Sequence, residues 1–163
     1  MNFAEMLERQ QDEKARGIWF NSKTDRYAWM SNFHACQVPV NVGGKVWFFP
    51  NVEAAYQFAK LPPEQRTEPQ IKSWLLLTGV QAKYKGKTIT LRKDWTEEKK
   101  IQIMCFLVVR KFDHNKLLAS KLMATNDVKL IHLSPWDKFW GCDEEGNGAN
   151  ALGEMLMKIR EDL

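Results

Sequence analysis

No apolar run in this sequence approaches the roughly 20 residues that a membrane span needs, so no transmembrane helix is expected. Cysteine is scarce. Cys36, Cys105 and Cys142 are odd in number and widely spaced, and Cys105 lies in the apolar run Ile103 to Val109, a pattern of free thiols in a reducing cytoplasm. His34, His114 and His132 show no paired ligand spacing, which removes a metal hydrolase from the reading and leaves no metal site to assign. The start, Met1-Asn2-Phe3-Ala4-Glu5, has no basic stretch followed by an apolar one, so no export signal or anchor is expected. Repeats and low-complexity tracts are absent. Gly86-Lys87-Thr88 is not a phosphate-binding P-loop, because Gln81 stands where that motif needs a glycine.

What is present is enough for one sizeable core: 163 residues, 44% hydrophobic and 12% aromatic, too few for two comfortable domains. The net charge of +4 suits an anionic ligand, but Lys and Arg are scattered apart from Lys99-Lys100 and Arg110-Lys111. This is a bias towards phosphate, not a nucleic-acid-binding stripe.

Phe3 to Ala15 reads as an amphipathic helix ended by Gly17, and Ile18-Trp19-Phe20 as a strand. Val38 to Val42 and Lys45 to Phe49 flank Gly43-Gly44, the turn of a tight hairpin. A helix capped by Asn51 follows and stops at Leu61-Pro62-Pro63. Pro69 to Leu77 is expected to be helical and to end at Gly79, with a basic connector from Lys83 to Lys93. Asp94 and Glu97 resemble a capping box that opens a core helix through Met104, Val108 and Phe112. Helix Lys116 to Met123, strand Val128 to Leu133 and a C-terminal helix presenting Leu152, Leu156 and Ile159 complete the reading. The expected class is α+β, a single compact domain of several helices around one small sheet made from the hairpin, the first strand and the strand before Ser134.

Three segments carry chemistry. Glu53, Gln57 and Lys60 share one face of the short helix, an arrangement that on its own is usually a solvated face. Ser134 to Gly141 crowds Trp136, Phe139 and Trp140 around Asp137. Its plain reading is a helix start with Ser134 as cap and Pro135 first, and its functional reading is an aromatic wall beside an acid or base. Gly146-Asn147-Gly148-Ala149-Asn150 then offers amides to phosphate. Tyr27 to Phe33 is an aromatic loop with Ser31-Asn32 at its centre, structurally a turn held by Asn32.

In order and identity these blocks resemble the NADAR (NAD and ADP-ribose associated), or YbiA-like, family. Tyr27 with Ser31-Asn32-Phe33, Val52-Glu53 with Tyr56-Gln57 and Lys60, and Leu91-Arg92 with Asp94-Trp95 carry the likeness. So do Ser134-Pro135 with Asp137 and Phe139-Trp140-Gly141, and the run Gly146, Gly148, Asn150, Leu152-Gly153, Leu156-Met157 and Arg160. The likeness spans about 17–163, leaving 1–16 as an N-terminal helical extension.

The resemblance implies an N-glycosidase that hydrolyses the bond between ribose C1 and a nitrogen. The expected substrates are phosphoribosylamino-pyrimidine intermediates of riboflavin synthesis, or guanine carrying ADP-ribose on DNA or RNA. The partner is thus a phosphorylated ribosyl or ADP-ribosyl compound, with no membrane, no organic cofactor and no metal. Carried over by residue, Glu53, Lys60, Trp95 and Asp137 match the catalytic positions, and Ser31, Asn32 and Phe33 lie at the ligand. Tyr56, Gln57, Arg92, Trp140 and Asn150 join them as substrate-binding candidates: Arg92 as a phosphate contact, and Trp95 or Trp140 for stacking on the base. The family commonly has a histidine after the glutamate, where this chain has Ala54, which bears on specificity. Two routes fit the chemistry. Lys60 attacks an opened C1 imine, or a carboxylate activates water while an acid protonates the leaving base. The site is expected where the Glu53 helix, the Trp95 helix start and the Ser134 loop converge. The alternative function is a non-catalytic nucleotide or single-stranded nucleic-acid binding module built on aromatic platforms, against which the carboxylates Glu53 and Asp137 argue.

Overall fold

A computed structural model describes all of residues 1–163. The fold is α+β, and the chain divides into two compact units, residues 1–31 with 119–163 and residues 32–118. None of its helices is long and apolar enough to cross a membrane.

The first unit opens with helix α1, Phe3–Arg16, whose Asn2 cap and Glu5 form a reciprocal capping box, and Gly17 at φ 86° ends it. Strand β1, Ile18–Phe20, follows, then a 3₁₀ turn at Ala28–Met30 that buries Trp29 and Met30. Later in the chain, strand β4, Leu130–His132, pairs with β1 in parallel, Ile18 opposite Leu130 and Phe20 opposite His132. It is shorter than the expected 128–133; Leu133 instead bridges to Cys142. Helix α7, Ala151–Asp162, lays Leu152, Leu156 and Ile159 into this unit's core and packs on β4. Ser134 to Gly141 starts no helix. It is a run of turns in which Asp137 Oδ1 accepts from the amides of Phe139 and Trp140, both at 3.1 Å.

The second unit is built around the hairpin of β2, Val38–Val42, and β3, Lys45–Phe49, in antiparallel register with Val38 opposite Phe49. Gly43 and Gly44 sit at φ 62° and 85°, both central positions of a turn that side chains resist. Helix α2, Val52–Ala59, starts where Asn51 Oδ1 accepts the Ala54 amide at 2.7 Å, and it packs against both strands and three other helices. Those are α3, Glu68–Trp74, α4, Gly79–Gly86, and α5, Glu97–His114. Helix α6, Lys116–Met123, carries the chain from this unit back into the first.

Several expectations are corrected. The hairpin and the β1–β4 pair are two separate two-stranded sheets, not one. Gly79 begins α4 instead of ending α3, because Thr78 and Gln81 close a capping box around it, at 3.2 Å and 3.0 Å, and 83–86 of the expected connector are helical. The cap of α5 is Thr96, whose Oγ1 accepts the Lys99 amide at 3.1 Å, while Asp94 pairs with Arg92.

A residue that sequence patterning assigned no role stands out in α5. Lys111 is 1% exposed, its ammonium 5.4 Å from the Phe112 ring centre, and burial pushes its pKa down to about 8 against a small opposing effect of Cys36. An unfolded chain binds this proton up to the ordinary lysine range near 10.5. Between about pH 8 and 10 the unfolded state therefore holds the extra proton, and raising the pH stabilises the fold. Thermal melts should show wild type gaining about 2 to 3 kcal/mol over this window relative to Lys111→Met. Parallel curves for the two proteins would refute a neutral buried lysine.

Candidate active site

The polar stripe of α2 is not a solvated face. Glu53 and Gln57 are 8% and 7% exposed, with Val52, Ala54, Ala55, Tyr56 and Phe58 buried beside them, so the helix is enclosed from Val52 to Phe58. Glu53 sits in the first turn, where the helix dipole favours a negative charge. Its backbone amide donates to the Asn32 carbonyl at 3.0 Å, and its Oε1 accepts Nε2 of Gln57 at 2.7 Å. Two consecutive turns of one helix thus hold a carboxylate in a fixed orientation.

One turn further, Lys60 caps α2. Its ammonium lies 4.8 Å from the Tyr56 ring centre and 5.6 Å from that of Trp95, and the two rings meet edge to face at 5.6 Å. The negative ring faces form an electrostatic seat for the lysine charge. Trp95 reaches this place because the segment before α5 is tied to the end of α2: the Arg92 amide donates to the Lys60 carbonyl at 2.8 Å. Arg92 Nη1 and Arg66 Nη2 both donate to the Ala59 carbonyl, at 3.4 Å and 3.3 Å, satisfying the helix's last acceptors. Arg92 also grips Asp94 with both branches of its fork, and this contact holds the Asp94 carboxyl below the ordinary range. Three of the five guanidinium N–H groups of Arg92 are thus engaged at the Lys60 end of the helix and on Asp94.

Asn32 Nδ2 donates to Met104 Sδ at 3.3 Å, while its Oδ1 is buried with no hydrogen-bond partner. Phe33 lies against α4. A Cβ on Gly79 would stand 2.6 Å from the Phe33 Cβ, and the Lys83 ammonium is 5.9 Å from the Phe33 ring centre. Lys83 has no assigned role in the sequence, where Lys83 to Lys93 reads as a connector; α4 is what brings it to Phe33. Ala54 is fully buried, so the position that is commonly histidine in the family is here part of the packed interior.

The remaining candidates lie in the first unit. Ser31 is 4% exposed and closes the 3₁₀ turn. Trp140 stands edge-on to Phe139 at 4.8 Å, both half-buried beside the turn that Asp137 organises. Asn150 has its side-chain amide engaged in structure: Oδ1 accepts the His132 amide at 2.9 Å, and Nδ2 donates to the Leu130 carbonyl at 3.0 Å. The same unit has a cleft of about 600 Å³ lined by Glu13, Arg26, Tyr27, Trp29 and Lys121 among others. There the Tyr27 hydroxyl donates to Glu13 at 2.6 Å, and burial and then this carboxylate push its pKa up to about 12. None of Glu53, Lys60, Trp95 and Asp137 lines that cleft.

Comparison with known proteins agrees with the motif reading. The N-glycosidase YbiA of Escherichia coli is 35% identical over 147 residues, covering 90% of this chain and 88% of that protein. An N-glycosidase of Nostoc punctiforme is 31% identical over 148 residues, covering 90% and 92%. A riboflavin biosynthesis protein of Vibrio vulnificus is 31% identical over 146 residues, but this chain spans only 38% of its length. The NMR structure of E. coli YbiA superposes with a TM-score of 0.70 at 32% identity, over 89% of this chain and 83% of that one. The family model described as the NADAR domain matches residues 18–163, and the chain belongs to the NADAR family.

Proposed function

We propose that this chain is an N-glycosidase, hydrolysing the bond between ribose C1 and a base or amine nitrogen. The observation that carries the reading is the enclosed carboxylate of Glu53, oriented by Gln57, on the same short helix as an ammonium seated between Tyr56 and Trp95. A binding module for anions gains nothing from burying a carboxylate, whereas proton transfer at a sugar needs one. In this reading Glu53 activates the attacking water or moves the proton at C1, and Asp137 assists as acid or base or positions the ribose. Trp95, with Trp140 as the second candidate, stacks on the base. The partnerless Oδ1 of Asn32 is an acceptor suited to a ribose hydroxyl, and Ser31, Phe33, Tyr56 and Gln57 line the ligand. Arg92 contacts a phosphate with its remaining N–H groups, and Asn150 serves by holding the protein's own backbone. The substrate class is a phosphorylated or ADP-ribosylated riboside: a phosphoribosylamino-pyrimidine, or guanine bearing ADP-ribose. The domain occupies 17–163, with 1–16 an added helix.

A release assay read by mass spectrometry tests this directly. Purified protein is offered a phosphoribosylamino-pyrimidine and, separately, an oligonucleotide with ADP-ribosylated guanine. Cleavage of the first assigns disposal of a free metabolite, and cleavage of the second assigns reversal of a base modification. Binding without cleavage of either would defeat the enzyme reading in favour of a nucleotide-binding module.

A further inference from the structure

Helix α4 packs on α2, and its buried residues are the small Gly79 and Ala82. At its end Gly86 lies against Gln57: a Cβ on Gly86 would stand 2.1 Å from Gln57 Oε1, 2.5 Å from Cδ and 3.0 Å from Cγ. Gln57 is the residue whose Nε2 donates to Glu53 Oε1, and its own Oε1 is buried with no hydrogen-bond partner. An ionised carboxylate only accepts, so the amide has one workable orientation, nitrogen towards Glu53 and oxygen towards Gly86. Nothing in the backbone asks for glycine here, since Gly86 is helical and outside the left-handed region. Alanine is the better helix former of the two. The three nearest atoms that a side chain here would meet all belong to Gln57.

We propose that Gly86 is a positioning residue for the reaction: its missing side chain keeps the Gln57 amide on the Glu53 carboxylate. The inference rests on the reading of Glu53 as the proton-transfer group. The atoms that a methyl at position 86 would displace are the outer end of a side chain, which swings aside at small cost to the fold. That swing breaks the amide-carboxylate hydrogen bond. Gly79 differs, because there a Cβ would also come within 2.7 Å of the Phe33 Cα, which is backbone and cannot yield.

The test compares wild type, Gly86→Ala, Gln57→Ala, the double variant and Glu53→Gln in the release assay across pH, with melting curves. Gly86→Ala should melt within about 4 °C of wild type. Its kcat/KM should fall about tenfold to a hundredfold, the worth of a hydrogen bond to a charged group. The acid limb of its pH profile should move to higher pH, because the ionised Glu53 has lost a donor. In the Gln57→Ala background Gly86→Ala should cost nothing more, since the shortened side chain leaves room for the methyl. Wild-type activity and an unmoved acid limb in Gly86→Ala, or losses that add in the double variant, overturn the inference. A double variant that fails to fold also overturns it, by making Gly86 structural. Full turnover in Glu53→Gln would instead remove the reading of Glu53 on which it stands.

Discussion

Glu53→Gln should fold and melt like the wild type while losing about a hundredfold to ten-thousandfold in turnover, the usual worth of a general acid or base. The amide is isosteric with the carboxylate, and its oxygen still accepts Nε2 of Gln57, so the interior of α2 keeps its packing. What disappears is the ability to take a proton. Lys60→Ala should produce a comparable loss, because it empties the seat between Tyr56 and Trp95. Lys60→Arg separates the two chemical routes. Arginine keeps a positive charge against the rings, so retained turnover would assign Lys60 an electrostatic role. Lost turnover, together with a wild-type adduct trapped by borohydride in the presence of substrate, would assign it the imine. Full activity in both Glu53→Gln and Lys60→Ala would remove the site assignment, and activity lost only in proportion to stability would return these residues to packing.

The second large effect is on stability. Asn150→Ala should destabilise the fold by about 3 kcal/mol, because it strips partners from two backbone groups of β4. The alternation of a parallel ladder explains why. Ile18 donates to the Lys129 carbonyl and the Leu133 amide to Phe20, so odd-numbered residues face β1. The even-numbered residues Leu130 and His132 face away, and Asn150 supplies one acceptor and one donor to them, as a further strand would. Asparagine also tolerates the left-handed backbone at φ 51°, which alanine resists. A fall in melting temperature of about 6 to 12 °C is expected for a chain of this size. An unchanged melting temperature would show that β4 does not need this partner, and would free Asn150 to be considered a ligand contact.

Both residues show where sequence reading reaches and where it stops. The hairpin, α2 and α6 were legible because each is specified locally, by a Gly-Gly turn, an Asn cap before a helical run, and an apolar period. The start of α4 was not, because a glycine at a first helical position looks like a stop unless the Thr78–Gln81 capping box is recognised. The sequence does not separate the two sheets, because nothing local to Ile18 or Leu130 says which strand each will pair with. At the site, the residues of α2 were found by motif, but their burial was not, since spacing alone describes a solvated stripe equally well. Nothing in the sequence gives Gly86 a role at the site: what a Cβ there would meet lies on another helix.

The pairing of β1 with β4 also sets an order of events. Residues 32–118 are one uninterrupted stretch whose hairpin and helices contact each other within it, so all the partners of that unit have been made once residue 118 leaves the ribosome. The unit that contains β1 has to wait, with Ile18, Trp19 and Phe20 unpaired, until Leu130 to His132 have been made. Joining strands so far apart in sequence carries the larger loop-closure cost of a non-local contact. Apolar strand residues held open during synthesis are also the place where a slow or crowded cell would see this protein misassociate first.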